Sequence, residues 1–193
     1  VYDIAYLRCI PNLIIFSPMN EAELRNIMFT IQKGLSGPIA IRYPRGRATV
    51  TNWKQPFQKM EIGVAEELIK GSKIAVLSLG HIGNSIRELI EELNFPGKVG
   101  HYNMRFVKPL DEKMLHHIFN TYERLITVEN GCKIGGFGSA IIEFANSINN
   151  RIPISVFGIE DVFIEHGTVE QLHIQAHLDS LSIKKCIIEL LEL

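Results

Sequence analysis

The chain has 193 residues, 46% of them apolar and 21% charged, a composition that predicts one or two globular domains with a real core. Its 20 basic and 21 acidic residues nearly cancel, so we expect neither nucleic acid nor an anionic membrane as a partner. The three cysteines are odd in number and far apart in sequence. They give no disulfide framework and predict a cytoplasmic location.

The first 48 residues carry the pattern of a strand, a helix and a second strand. Apolar runs at 13–16 and 38–43 flank an amphipathic segment that starts after Asn20 and stops at Gly34. Two strands and one helix cannot cover both faces of a sheet. We therefore interpret residues 1–48 as the end of a larger α/β domain. The absence of an initiator methionine before Val1 leads us to expect a fragment.

The second apolar run ends in a basic corner made of Arg42, Arg45 and Arg47. Pro44 fixes its own φ and Gly46 permits a tight turn, so the arginines are predicted to sit on a stiff bend. Guanidinium groups held in this way grip a phosphate or carboxylate with two parallel hydrogen bonds. The pattern favours an anion site, and a solvated turn with arginines paired to surface carboxylates is the alternative.

Residues 49–60 lose periodicity and predict a linker, and we expect Trp53 and Phe57 to pin it to a surface. Residues 61–193 predict a compact second domain. Its expected strands lie near 63–68, 73–79, 98–102, 125–129 and 154–157, with helices near 85–93, 111–119, 139–147, 169–177 and 181–191. The Lys70-Gly71-Ser72 turn predicts that the first two strands form an antiparallel hairpin. The expected fold is a three-layer α/β/α sandwich with a mostly parallel five-stranded sheet.

A glycine-rich segment and several histidines are weaker candidates for a site. Residues 135–139 follow a strand and open a helix, but they match a phosphate loop poorly, so close helix packing is favoured. His173 and His177 have the spacing of a metal pair but no third ligand, so no metal site is predicted. His81 and His166 follow predicted strands, where α/β proteins keep their sites, and are assigned peripheral or structural roles. No residue has the setting of a catalytic nucleophile.

Five segments together resemble the carboxyl-terminal third of the 1-deoxy-D-xylulose-5-phosphate synthase family, in order along the whole chain. They are residues 6–12 (Tyr-Leu-Arg-Cys-Ile-Pro-Asn), 41–46 (Ile-Arg-Tyr-Pro-Arg-Gly), 104–111 (Met-Arg-Phe-Val-Lys-Pro-Leu-Asp), 128–131 (Val-Glu-Asn-Gly) with 135–139 (Gly-Gly-Phe-Gly-Ser), and 161–168 (Asp-Val-Phe-Ile-Glu-His-Gly-Thr). Transketolases and the beta subunits of 2-oxo acid dehydrogenases share motifs of this general kind, but the arginine corner and the 104–111 segment are closer to the synthase.

The resemblance implies a homodimeric enzyme that uses thiamine diphosphate and Mg²⁺ to join pyruvate to D-glyceraldehyde 3-phosphate with loss of CO₂. It implies that residues 1–48 end the pyrimidine-binding domain and that residues 61–193 form the transketolase C-terminal-like domain. It also implies that Arg45 binds the phosphate of the aldehyde, whereas Arg42 and Arg47 are structural or peripheral.

The family's Gly-Asp-Gly motif for the metal and diphosphate does not occur in these residues. We therefore expect no cofactor on this chain alone and no catalytic residue within it. Two alternatives stay open: part of another thiamine diphosphate enzyme, or a non-enzymatic interaction module.

Overall fold

The computed structural model describes residues 1–45 and 55–192. Gly46, Arg47 and the first half of the predicted linker lie outside these residues. None of the helices in the described part of the chain is long and apolar enough to cross a membrane.

The amino-terminal part contains two helices and two strands, as α1 (Asp3–Arg8), β1 (Ile14–Phe16), α2 (Glu21–Gln32) and β2 (Ile39–Ile41). The strand-helix-strand unit was predicted from periodicity, whereas α1 was not. Helix α2 starts where the sequence indicates, because the Asn20 side chain accepts a hydrogen bond from the Glu23 backbone N–H at 2.9 Å.

The rest of the chain alternates strands and helices. Its elements are β3 (Glu66–Ile69), β4 (Ile74–Leu79), α3 (Ile82–Glu92), β5 (Val99–Asn103), β6 (Phe106–Lys108), α4 (Glu112–Thr121), β7 (Arg124–Cys132), α5 (Phe137–Ser147), β8 (Ile154–Ile159), α6 (Val169–Gln175) and α7 (Ser180–Glu192). Ten of these eleven elements match predicted ones to within a few residues, and β6 is additional.

Five strands form one sheet in the order β3-β5-β4-β7-β8. Every neighbouring pair in this sheet is parallel except β3 with β5. Helices α4 and α5 pack on one face and α3 and α7 on the other, each against alternate residues of the strands. The predicted three-layer sandwich with a mostly parallel five-stranded sheet is confirmed. Strand β4 is buried along its whole length, as expected for the centre of such a sheet.

The predicted hairpin between the first two of these strands is wrong. Strand β3 is antiparallel to β5, and β4 lies on the other side of β5. The short connection around Gly71 crosses the start of β5, where a Cβ on Gly71 would lie 2.2 Å from the backbone nitrogen of Gly100. Glycine is therefore needed at position 71 because the chain passes close to a strand there. In the sequence, a glycine with this role cannot be told from the glycine of a hairpin turn.

A second, three-stranded sheet has the order β2-β1-β6. Strand β1 pairs in parallel with β2 and antiparallel with β6, which comes from the later part of the chain. Strand β1 therefore has a partner outside residues 1–48. Helix α2 covers this sheet through Ile27, which packs in one cluster with Phe16 and Phe106.

Strand β6 is held in place by a buried carboxylate on α2. Glu23 Oε1 accepts hydrogen bonds from Arg105 Nε at 2.6 Å and from Asn103 Nδ2 at 2.9 Å. Its other oxygen accepts the Met19 backbone N–H at 2.7 Å. Arg105 has a φ of 58°, in the left-handed region that residues other than glycine rarely adopt. The turn at this residue directs the chain from β5 into β6. The ion pair thus fixes the crossing from one sheet to the other.

The described end of the predicted linker packs on α2. Phe57 stacks on Phe29 with ring centroids 5.1 Å apart, and the Met60 backbone N–H donates to Thr30 Oγ1 at 2.8 Å. Phe57 therefore pins this segment to a surface, as its sequence suggested. Trp53, to which the same role was assigned, lies outside the described residues.

We predict that Phe106→Ala will lower the free energy of unfolding by about 3 to 5 kcal/mol. The Phe106 side chain is fully buried and its ring centroid lies 4.9 Å from that of Phe16, so the substitution leaves a cavity between the small sheet and α2. Urea denaturation of the chain measures the change. Phe163→Ala is the matched control, because this side chain is 89% exposed and its loss should cost less than about 0.5 kcal/mol. Equal losses for the two variants would contradict the packing role of β6.

Candidate functional site

The basic corner begins at the carboxyl end of β2, next to the carboxyl end of β1. The Arg42 backbone N–H donates to the Phe16 carbonyl at 2.8 Å, and the Ser17 hydroxyl donates to the Arg42 carbonyl at 3.0 Å. These bonds keep the chain beside β1 for one residue past β2. The carboxyl ends of strands are where open α/β sheets place ligands, so the location suits a binding site.

The Arg42 side chain turns back into the molecule. Its Nε donates to Asp3 Oδ2 at 2.6 Å, and one terminal nitrogen donates to the Asn130 carbonyl at the end of β7. Burial raises the pKa of Asp3, but the charge and the hydrogen bond of Arg42 outweigh it, and the pKa of Asp3 is lower than usual. Arg42 therefore links α1, the small sheet and the large sheet.

Arg45 has the opposite setting. It lies at a bend directly after Pro44, and its side chain is exposed. Within residues 1–45 and 55–192 it has no hydrogen bond or ion pair. The structure therefore presents an exposed guanidinium that no described residue neutralises. Arg47 cannot be compared with it, because Arg47 is outside the described residues.

His81 is the second predicted residue that lies near this corner. It is half-buried and follows the carboxyl end of β4, and its carbonyl accepts Asn84 Nδ2, which also donates to Met19 after β1. Desolvation, with smaller contributions from Arg42 and His173, lowers the pKa of His81. The fold thus brings His81 and Arg42 together, with the imidazole favoured in its neutral form.

His166 is not part of this cluster. It is exposed in the connection between β8 and α6 and contacts no described residue through a hydrogen bond or an ion pair. The same connection borders a groove of about 300 Å³, which is lined by Val1, Tyr2, Asn130, Ile159, Phe163, Ile164, Glu165, Val169, Leu172, His173, Ala176 and Leu178. No hydrogen bond or ion pair therefore joins His166 to the described residues of the corner.

A buried carboxyl group near the end of β7 was not predicted from the sequence. Glu129 is fully buried, and its Oε1 accepts the Gly138 backbone N–H at 2.9 Å at the start of α5. Burial raises the pKa of Glu129 to about 7, although bonds from the N–H groups of residues 137 and 138 and the charges of Arg42 and Arg8 act in the opposite direction. The signal available in the sequence was a charged residue that ends an apolar strand immediately before a run of glycines.

The glycine-rich loop makes room for this carboxyl group. A Cβ on Gly136 would lie 2.6 Å from each Glu129 oxygen, and one on Gly138 would lie 2.5 Å from a methyl group of Val156. Gly136 is the N-cap of α5 and supplies no side chain there, so Glu129 occupies the anion position at this helix start. The loop serves internal capping and close helix packing, the alternative favoured from sequence.

Thiamine diphosphate and Mg²⁺, which the sequence resemblance implies, do not fit the residues described here. Glu129 takes the N–H groups that a diphosphate would need at α5. Within residues 1–45 and 55–192, no three histidine, cysteine, aspartate or glutamate side chains cluster in a way that could hold a metal ion. We derive no chemical step through these groups from this chain.

Comparison with known proteins places the chain among transketolase-like proteins. Residues 63–183 match the family model "Transketolase, C-terminal domain". The chain is 46% identical over 191 residues to 1-deoxy-D-xylulose-5-phosphate synthase of Cytophaga hutchinsonii, covering 96% of this chain and 30% of that protein. It is 45% identical over 186 residues to the synthase of the same name from Parabacteroides distasonis, covering 96% of this chain and 29% of that protein.

A solved structure described as a split-gene transketolase, inactive beta4 tetramer, has a TM-score of 0.86 and 28% identity. The similarity covers 99% of this chain and 62% of that one.

The chain spans about 30% of the length of the two synthases that it matches.

We predict that Glu129→Gln will change the pH dependence of stability. Because the pKa of Glu129 is raised from 4.5 to about 7 on folding, the native state keeps its proton up to a higher pH than the unfolded state does. Its stabilising contribution is complete below about pH 4.5 and is lost as pH rises through 7, a loss on the order of 3 kcal/mol. The glutamine variant should lack this loss because its amide does not titrate, and its amide oxygen can still accept the Gly138 N–H.

Urea denaturation at several values between pH 5 and 8 measures this effect. Glu165→Gln, at an exposed position, is the control and should follow the wild-type curve. Parallel curves for wild type and Glu129→Gln would contradict the raised proton affinity at this site.

Proposed function

The chain belongs to the transketolase C-terminal domain family, and we propose that it is the carboxyl-terminal part of a 1-deoxy-D-xylulose-5-phosphate synthase. The proposed reaction of the whole enzyme joins pyruvate to D-glyceraldehyde 3-phosphate with loss of CO₂, and its product serves isoprenoid, thiamine and pyridoxal synthesis. Support comes from relatives of this name that match 96% of the chain at 45 to 46% identity.

The exposed Arg45 guanidinium is the observation that supports a role for this chain in substrate binding. It stands after Pro44 on a corner whose base is tied to two sheets, and no described residue neutralises it. A guanidinium in this setting offers a planar pair of donors to a phosphate. We propose that Arg45 binds the phosphate of D-glyceraldehyde 3-phosphate. Arg42, Arg47, His81 and His166 are proposed to be peripheral or structural.

The proposed division of the chain follows the sequence boundaries. Residues 1–48 would end a pyrimidine-binding domain, 49–60 would link, and 61–193 would form the C-terminal domain, within which the family model matches residues 63–183. Thiamine diphosphate and Mg²⁺ would be held by the rest of the full-length protein, which we propose to be a cytoplasmic homodimer.

A second candidate is another thiamine diphosphate enzyme whose chain is split. The similarity to a split-gene transketolase over 99% of this chain favours it specifically. In that case the anion bound by Arg45 would belong to a different sugar phosphate. The synthase and a split transketolase differ in the donor substrate, because of these two only the synthase would release CO₂ from pyruvate.

We predict that the purified 193-residue chain binds no thiamine diphosphate and releases no CO₂ from pyruvate. The reason is that the Gly-Asp-Gly motif for the metal and diphosphate does not occur in these residues, so the groups that bind the cofactor are proposed to lie in the rest of the full-length protein. Calorimetric titration with the cofactor and Mg²⁺ tests this expectation. Saturable binding in the micromolar range would contradict it.

We predict that Arg45→Ala in the full-length enzyme will lower kcat/KM for D-glyceraldehyde 3-phosphate by roughly 10- to 150-fold, equivalent to about 1.5 to 3 kcal/mol for one charge-assisted contact. Pyruvate should be affected much less, because it carries no phosphate. Arg45→Lys should recover only part of the activity, since an ammonium keeps the charge but not the two-pronged geometry. Steady-state kinetics with each substrate varied in turn provide the measurement.

Unphosphorylated glyceraldehyde is the internal control for this variant. A phosphate contact contributes nothing to a substrate that lacks the phosphate, so its kcat/KM should stay unchanged. Equal slowing of both aldehydes would mean that Arg45 supports the fold or the chemistry, and the phosphate site would then be wrong.

A further inference from the structure

Arg42 is attached to the protein through both its backbone and its side chain. Its backbone N–H and carbonyl bond to Phe16 and Ser17 at the end of β1, at 2.8 and 3.0 Å. Its guanidinium bonds to Asp3 on α1 and to the Asn130 carbonyl on β7. One residue therefore fixes the start of the corner to three separate parts of the molecule.

The residues between Arg42 and Arg45 transmit this position to Arg45. Tyr43 and Pro44 are both exposed, so neither is anchored by packing. Their backbones are nevertheless restricted, because the proline ring fixes φ and a residue before proline is disfavoured in the helical region. With no partner of its own among the described residues, Arg45 takes its direction from Arg42 through a short, stiff connection.

The same contacts make Arg42 a poor phosphate ligand. Its Nε is committed to Asp3, and a terminal nitrogen is committed to the Asn130 carbonyl. The carboxylate of Asp3 would also repel an anion that approached this guanidinium. Arg42 and Arg45 therefore have different roles, although the sequence pattern gave no way to distinguish them.

We propose that Arg42 is a positioning residue that aims Arg45 at the substrate phosphate by bracing the corner against Asp3 and Asn130. This inference rests on the proposed function of Arg45. Its consequence is selective: loosening the brace misplaces Arg45 and weakens recognition of the phosphate, whereas a substrate without phosphate loses nothing through this route.

A double-mutant cycle in the full-length enzyme tests the proposal, with Arg42→Ala, Arg45→Ala and the pair. Arg42→Ala is expected to lower kcat/KM for D-glyceraldehyde 3-phosphate about 10-fold, as misplacement of a binding group does. Unphosphorylated glyceraldehyde should be unaffected. In the Arg45→Ala background, Arg42→Ala should add less than about twofold, because a residue that acts through Arg45 has nothing left to position.

Arg8→Ala is the matched control for loss of structure. Arg8 also extends from α1, and it bonds to the Gly135 carbonyl at 2.8 Å and to Glu143 at 2.5 Å, away from the corner. It should lower thermal stability without distinguishing the two aldehydes. If Arg42→Ala does not fold, Arg42→Lys and Asp3→Asn weaken the same brace more gently, and both should show a smaller loss confined to the phosphorylated aldehyde.

The outcomes distinguish the positioning role of Arg42 from the phosphate site at Arg45. Selectivity of Arg42→Ala, or of its gentler replacements, together with a non-additive double mutant, supports the positioning role. Additive losses, or equal losses on both aldehydes as for Arg8→Ala, overturn it while the phosphate site at Arg45 stands. Equal slowing of both aldehydes by Arg45→Ala alone overturns the phosphate site, and the positioning role with it.

Discussion

The antiparallel pairing of β6 with β1 is the constraint on which the rest of the structure depends. It places a strand from the later part of the chain in the small sheet, opposite Phe16, and so ties the small sheet to the large one through the short connection from β5 to β6. The Glu23–Arg105 ion pair, with a buried carboxylate and a partly buried guanidinium, fixes the turn that makes this crossing possible. Removing the arginine would leave the Glu23 carboxylate buried without its charge partner, which is costly, so the pair specifies where β6 must lie.

This junction brings the carboxyl ends of strands from both sheets to one region. Arg42 at the end of β2 can reach Asn130 at the end of β7 only because the sheets are fixed relative to each other. His81, after β4, enters the same region, and its neutral form is favoured there by burial and by the nearby positive charge. The result is a braced base from which the exposed Arg45 extends toward solvent.

The glycine-rich segment shows how a familiar pattern can serve an internal purpose. A strand followed by glycines and a helix start is the setting of a phosphate loop, and here the anion position is taken by the protein's own Glu129. Gly136 admits the carboxyl group, and Gly138 allows α5 to approach β8 closely. The helix start therefore supports the fold beside the corner instead of holding a cofactor.

The sequence by itself determined the alternation of strands and helices, the mostly parallel sheet and the arginine corner, because periodicity, caps and the Pro44 bend are local properties. The family relationship was also visible in its motifs. Only the tertiary structure decided that Gly71 crosses β5, that β6 pairs with β1 and that Arg42 is tied inward while Arg45 has no partner within residues 1–45 and 55–192. These depend on contacts between residues far apart in the chain, and the pattern around a glycine or an arginine is the same whichever distant residue it meets.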